Sequence, residues 1–207
     1  MKNLKKVIQE NIAKNIKIYT ILVIIFILGL IIGIIVVNNA QDAQKAEIND
    51  YINTFINDLK NGAKIDYFKL LKTSFENNFF TVLILWFMSS TVIGIPIVYG
   101  EIGYKGFCLG YTISSVVATL GTGKGILSVI TSMLLHNIIF IPCLLLLAVS
   151  GINLYKSIIR DRRKENIKIE IIRHTIFSLI ILAVLLIASL IETYISSNLL
   201  ISIVKYL

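Results

Sequence analysis

Charge in this chain is confined to three stretches, residues 1–17, 41–76 and 151–174, and the sequence between them is almost uncharged. A bilayer core of roughly 30 Å needs about 20 apolar residues in helix to cross it. Several of the uncharged stretches reach that length. Hydrophobic residues make up 56% of the chain, more than the roughly half found in soluble domains. Together these features predict an all-α integral membrane protein. The expected architecture is about five transmembrane helices, with short amphipathic helices at the N-terminus and in the first external segment. The net charge of +8 does not argue for nucleic acid, because the basic residues flank the apolar spans. The lipid bilayer, with its anionic headgroups, is the expected partner.

The first span is 18–37, after a lysine-rich lead. A secretory h-region runs only about 7–15 residues, so this 20-residue run, with no A-x-A site after it, reads as an uncleaved anchor. Within 1–17, Leu4, Val7, Ile8, Ile12 and Ile16 recur at helical spacing, which suggests an amphipathic helix on the cytoplasmic face. The other expected spans are 79–99, with Gly94 and Pro96 late in it, 103–120, 125–149, with Pro142 inside, and 174–194. A basic loop, 151–173, precedes the last span, and an apolar tail, 195–207, is too short to cross again.

Five spans put the termini on opposite sides, and lysine and arginine choose the sides. With the N-terminus inside, segments 1–17, 99–106 and 151–174 hold 13 of the 20 basic residues, including all four arginines. The expected orientation in the cell membrane is N-terminus cytoplasmic and C-terminus extracytoplasmic.

The external segment 38–77 carries a stripe of Ile48, Tyr51, Ile52, Phe55, Ile56 and Leu59 opposite Asp50, Asn53, Asn57 and Asp58. After an Asn61-Gly62 turn signal comes a second stripe, Ile65, Phe68, Leu71 and Phe75. Two short amphipathic helices are expected. They either rest on the membrane surface or present Tyr51, Phe55 and Phe68 to a partner.

No motif carries catalysis. Gly121-Thr122-Gly123-Lys124-Gly125 lacks the upstream glycine and following Ser/Thr of a phosphate-binding loop, and reads as a tight turn. Cys108 and Cys143 lie in apolar stretches, without metal-ligand spacing or a disulfide framework. No metal or cofactor is expected. His136 and Asn137 lie mid-membrane before Pro142, and polar groups at that depth must face other helices or water. Interhelical hydrogen bonding, including cover for the carbonyl that Pro142 frees, is set against a transport or proton-relay role. Glu101 and Glu192 lie near opposite interfaces and should not pair with each other, whereas Glu101 and Lys105 have i, i+4 spacing. Gly29-x-x-x-Gly33 and Gly106-x-x-x-Gly110 let helix backbones approach, within one chain or between copies, so a homo-oligomer stays open. Ser89, Ser90, Thr91, Ser114 and Ser115 are expected to add small, hydrogen-bonding contacts.

The order of these features has a familiar look. Asn77-Asn78 precedes Gly94-Ile95-Pro96, then Lys105-Gly106-Phe107-x-x-Gly110, then the run from His136 to Pro142, the basic loop, and Leu190-Ile191-Glu192. Over essentially its whole length the chain resembles the stage II sporulation protein M family of spore-forming Firmicutes. The resemblance implies a mother-cell membrane protein required for forespore engulfment. It would act as a non-enzymatic scaffold that localises the septal peptidoglycan hydrolases, stage II sporulation proteins D (a lytic transglycosylase) and P (an amidase). At His136 the resemblance implies glutamine instead. The alternative is a small transporter or channel built on polar residues of the second and fourth spans, for which no inverted repeat is evident.

Overall fold

The computed structural model describes residues 10–62, 64–91, 94–160 and 164–204. All regular structure among these residues is helical. In chain order the helices are α1 (Ile16–Asn38), α2 (Asp42–Lys60), α3 (Tyr67–Ser89), α4 (Gly94–Leu120), α5 (Thr122–Val129), α6 (Leu135–Arg160), α7 (Lys164–Leu190) and α8 (Ser197–Val204). A π-helical stretch, Ile130–Leu134, joins α5 to α6, and another, Ile191–Ser196, joins α7 to α8. The described chain therefore runs end to end through the bundle in five legs. These are α1, α3, α4, α5–α6 and α7–α8, with α2 lying at the end where α1 finishes and α3 begins.

Three helices among the described residues are long and apolar enough to cross a membrane: Ile16–Asn38, Thr122–Ile159 and Ile167–Val204. Their outward faces are apolar: Ile24, Leu28, Ile31 and Ile35 on α1, and Ile172, Ile176, Leu179 and Ile187 on α7, are all exposed. Such faces suit hydrocarbon, not water. At 23 and 27 residues, α3 and α4 are also long, and a rise of about 1.5 Å per residue makes each at least ~34 Å. Lys69, Lys72 and Glu76 on α3, and Glu101 and Lys105 on α4, lower their apolarity.

All five legs contribute to the core. Leu22, Leu85, Ile102, Leu144 and Leu185 are almost fully buried, with Val98, Leu147 and Ile152 beside them. Helix α1 packs mainly on α4, through glycine. A methyl at Gly29 would overlap the Gly103 carbonyl, and one at Gly33 would overlap that of Phe107. In return Gly106 faces the Phe26 carbonyl and Gly110 that of Leu30. Both small-residue motifs therefore serve one contact within the chain. Of the small polar residues expected to bond between helices, Ser114 does so, to Asn38 Oδ1 at 3.4 Å. Ser89 and Thr91 instead bond back along the chain to carbonyls of α3, Leu85 and Met88.

Several boundaries move. Hydropathy put Gly94 and Pro96 late in a span ending at 99, but α3 stops at Ser89 and residues 94–99 open α4. A proline in the first turn of a helix costs no hydrogen bond, because amides there have no intrahelical acceptor. Gly94 bonds to the Thr91 carbonyl at 3.1 Å, and any side chain there would strike the Met88 carbonyl. Gly94→Ala is therefore expected to destabilise the chain by about 1–3 kcal/mol, read as a lower melting temperature in detergent.

The basic stretch 151–173 is helical at both ends, as α6 runs to Arg160 and α7 starts at Lys164. Residues 195–204 continue leg five as helix. The second external stripe is not a separate short helix, because α3 runs unbroken from Tyr67 to Ser89. Asp66 starts it by accepting the Lys69 amide at 3.0 Å. The turn signals at Asn61-Gly62 and Gly121 correspond to glycines at φ 81° and 80°, the left-handed region. Most of the N-terminal stripe, Leu4 to Ile8, lies outside the described residues, as do Arg162, Arg163 and the last residues of the tail; residues 10–14 are helical.

Helix α2 packs on its own chain. Ile56 and Leu59 are buried with Val204, and Ile52, Leu120 and Leu200 close the cluster. Tyr51 and Phe55, on the same stripe, point outward with 76% and 46% exposure, and Phe68 on α3 is 76% exposed.

Candidate functional site

One face of α3 places Ser74 and Asn78 a turn apart, both buried. On leg five, Ser189 and Glu192 are three residues apart and look toward that face. Asn78 Nδ2 donates to Ser189 Oγ at 2.8 Å, and Ser189 Oγ lies 3.0 Å from Ser74 Oγ. Ser74 in turn meets Glu192 Oε2. A hydroxyl has one proton and an ionised carboxylate only accepts. The directions follow: Asn78 donates to Ser189, Ser189 to Ser74, and Ser74 to Glu192.

The third element is α6. His136 Nδ1 lies 3.3 Å from Glu192 Oε2 and 3.4 Å from the Ala188 carbonyl. Both neighbours are acceptors, so Nδ1 carries the proton. The ring stacks on Phe140, with centroids 5.4 Å apart. Lys105 Nζ lies 5.9 Å from the centre of the same Phe140 ring and 3.7 Å from Glu101 Oε1. The i, i+4 pair read from the sequence is therefore formed, and both its side chains are largely buried.

Of these groups, Ser74, Asn78, Lys105, His136, Phe140 and Glu192 border a cavity of about 290 Å³ between α3, α4, α6 and leg five, which Asn77, Cys108 and Asn137 also line. Both π stretches lie against it and against each other. One ends two residues before His136, and the other contains Glu192. A π turn adds a residue per turn and re-aims the side chains that follow, and such turns recur at functional sites.

The structure thus joins Asn78, Lys105, His136, Asn137 and Glu192 around one cavity. Gly94, Pro96 and Pro142 are not in it, and Gly106 and Gly110 serve the α1 contact. Glu192 was expected near the outer interface. Leg five continues as helix for twelve residues beyond it, about 18 Å at helical rise, and the carboxylate, about 35% exposed, faces Ser74 and His136. Asn137 does not cover the carbonyl freed by Pro142; its Nδ2 donates to the Met133 carbonyl at 2.9 Å, inside the π stretch. Helix α6 continues through Pro142.

Ser74 and Ser189 did not stand out in the sequence. The available signal was their spacing, four residues before Asn78 and three before Glu192, which puts each on its partner's face. What the arrangement does is join three legs. Asn78, Ser74, Ser189, Glu192 and His136 each find a polar partner on another helix, as hydrocarbon requires of polar groups at depth.

No curated protein and no solved structure matches the chain. A family model does match: that of Stage II sporulation protein M, over residues 22–197. The match begins in α1, ends at the first residue of α8, and takes in the glycine contact and every residue of the polar cluster. The chain belongs to the stage II sporulation protein M family.

Proposed function

We propose that this chain, a sporulation-related membrane protein by its family membership, is a non-enzymatic scaffold of the engulfment machinery. It would cross the mother-cell septal membrane five times, with the N-terminus cytoplasmic, and hold stage II sporulation proteins D and P on the far side. The basic residues at the end where α1 begins and α6 meets α7 support this direction.

The observation that carries the reading is the end of the bundle bearing α2 and the start of α3. There Tyr51, Phe55 and Phe68 are exposed on helices whose other faces are fixed to the chain. Tyr67 stacks on Tyr194, with centroids 5.7 Å apart, and its hydroxyl reaches Asn198 at 2.9 Å. Exposed aromatics on a rigid base are the usual anchors of protein interfaces.

Replacing all three aromatics with alanine is expected to reduce recovery of the two hydrolases at least ~10-fold, since one anchor is worth about 1–2 kcal/mol or more. Membrane insertion and melting should hardly change. Full recovery with the triple variant would move the interface elsewhere.

A transporter reading would use the cavity at His136. Its polar groups are largely engaged with one another, which favours the scaffold. Engulfment lost on neutral substitution of His136 and Asn137, with the complex still assembled, would favour transport.

A further inference from the structure

At the opposite end of the bundle, where α1 begins and α6 meets α7, a cavity of about 530 Å³ opens among the three helices. That size falls in the roughly 300–1,000 Å³ range of small-ligand sites. Its rim carries Lys14, Lys156 and Arg173 against one carboxylate, Glu170. Glu170 is already engaged by Arg173 Nη1 at 2.7 Å. A guanidinium has five N–H donors, so Arg173 keeps others for a ligand. Neither Lys14 nor Lys156 forms an ion pair among the described residues.

The polar lining is held in place. Asn153 donates to Asn15 Oδ1 at 3.1 Å, and Asn15, itself buried, donates to the Asn11 carbonyl at 3.1 Å. Ser150 Oγ lies 2.9 Å from Nδ1 of His174. His174 is 2% exposed, and its other ring nitrogen is buried without a hydrogen-bond partner among the described residues. Leu146, Leu154 and Phe177 supply an apolar wall on one side.

We propose that this cavity binds a phosphate-type anion, in the form of an anionic phospholipid headgroup. Three cations at the rim attract the phosphate, and asparagine and serine side chains offer hydrogen bonds to headgroup oxygens. The apolar wall suits the start of an acyl chain. Basic pockets between membrane helices have this combination when they hold anionic headgroups. Helix α7 leaves the same cavity for the polar cluster, so an occupied site would fasten α1, α6 and α7 together.

The test is native mass spectrometry on the purified full-length chain in neutral detergent, with added phosphatidylglycerol or phosphatidylcholine and with or without millimolar inorganic phosphate. The wild-type chain should retain phosphatidylglycerol in preference to phosphatidylcholine. Lys14→Gln with Lys156→Gln should cut that retention about 10-fold or more, at several-fold per lysine. Ser157→Asp, which adds a negative charge at the lining and removes no cation, should do the same. All three positions are at least partly exposed, so unchanged melting of the variants checks their folding. Retention that survives inorganic phosphate identifies the lipid as the source. Displacement by inorganic phosphate, lost in the lysine variant, keeps the anion site but assigns it to the free ion and overturns the lipid form. Equal retention of the two lipids, or retention unchanged in both variants, overturns the site.

Discussion

Gly110→Leu is expected to abolish the folded monomer in detergent, whereas Gly100→Ala should be harmless. Gly110 sits on the Leu30 carbonyl and Cα, so a side chain there meets backbone, which cannot turn aside. Overpacking a core usually costs about 1–3 kcal/mol, and separating two helices along a shared glycine seam exceeds that. A loss of about 4 kcal/mol or more is the range expected when a defined structural device is removed. Gly100 is in the same helix, with nothing within 4 Å of an added methyl. Alanine there removes a helix-interior glycine, which is worth up to about 1 kcal/mol in the stabilising direction. Thermal unfolding of the two variants side by side separates loss of this seam from a general sensitivity of α4.

The second large effect concerns Glu192. Glu192→Ala removes the acceptor shared by Ser74 and His136, leaving His136 only its long 3.4 Å contact to the Ala188 carbonyl and Ser74 only the Ser189 hydroxyl. Each donor that loses its acceptor costs about 1–3 kcal/mol, so a total loss of roughly 2–5 kcal/mol is expected. Glu192→Gln keeps one acceptor oxygen and should cost less than half as much. His136→Gln should be the mildest, because a glutamine amide can still donate to the carboxylate. That substitution also introduces the residue the family resemblance implies at this position. If Glu192→Ala melts like the wild-type chain, the cluster does not hold the three legs together.

The parts of the fold legible in the sequence were those written as local chemistry. Long uncharged runs marked α1, α6 and α7 because hydrocarbon demands them. Asn61-Gly62 and Gly121 marked turns because glycine alone takes positive φ readily. The glycine pairs of α1 and α4 marked a close helix contact, although only the structure shows that they pair with each other.

The boundary between α3 and α4 was not legible. Apolar residues run on both sides of it, and Pro96 looked like the end of a helix when it lies in the first turn of one. The polar cluster was only half legible. Asn78, His136 and Glu192 were visible as polar residues in apolar surroundings, but the cluster joins positions more than a hundred residues apart. The two π stretches, which set the aim of His136 and Glu192, have no composition that distinguishes them from the helix around them.

The central claim is that a rigid five-legged bundle presents an aromatic face to wall-side partners. Its most direct test is photocrosslinking from sporulating cells, with a photoreactive residue in place of Tyr51, Phe55 or Phe68 in the full-length chain. The account predicts crosslinks to stage II sporulation proteins D or P from these positions, and none from a control at lipid-facing Ile176. Crosslinks to lipid alone at all three positions, with both hydrolases still recovered in the same membranes, would contradict it.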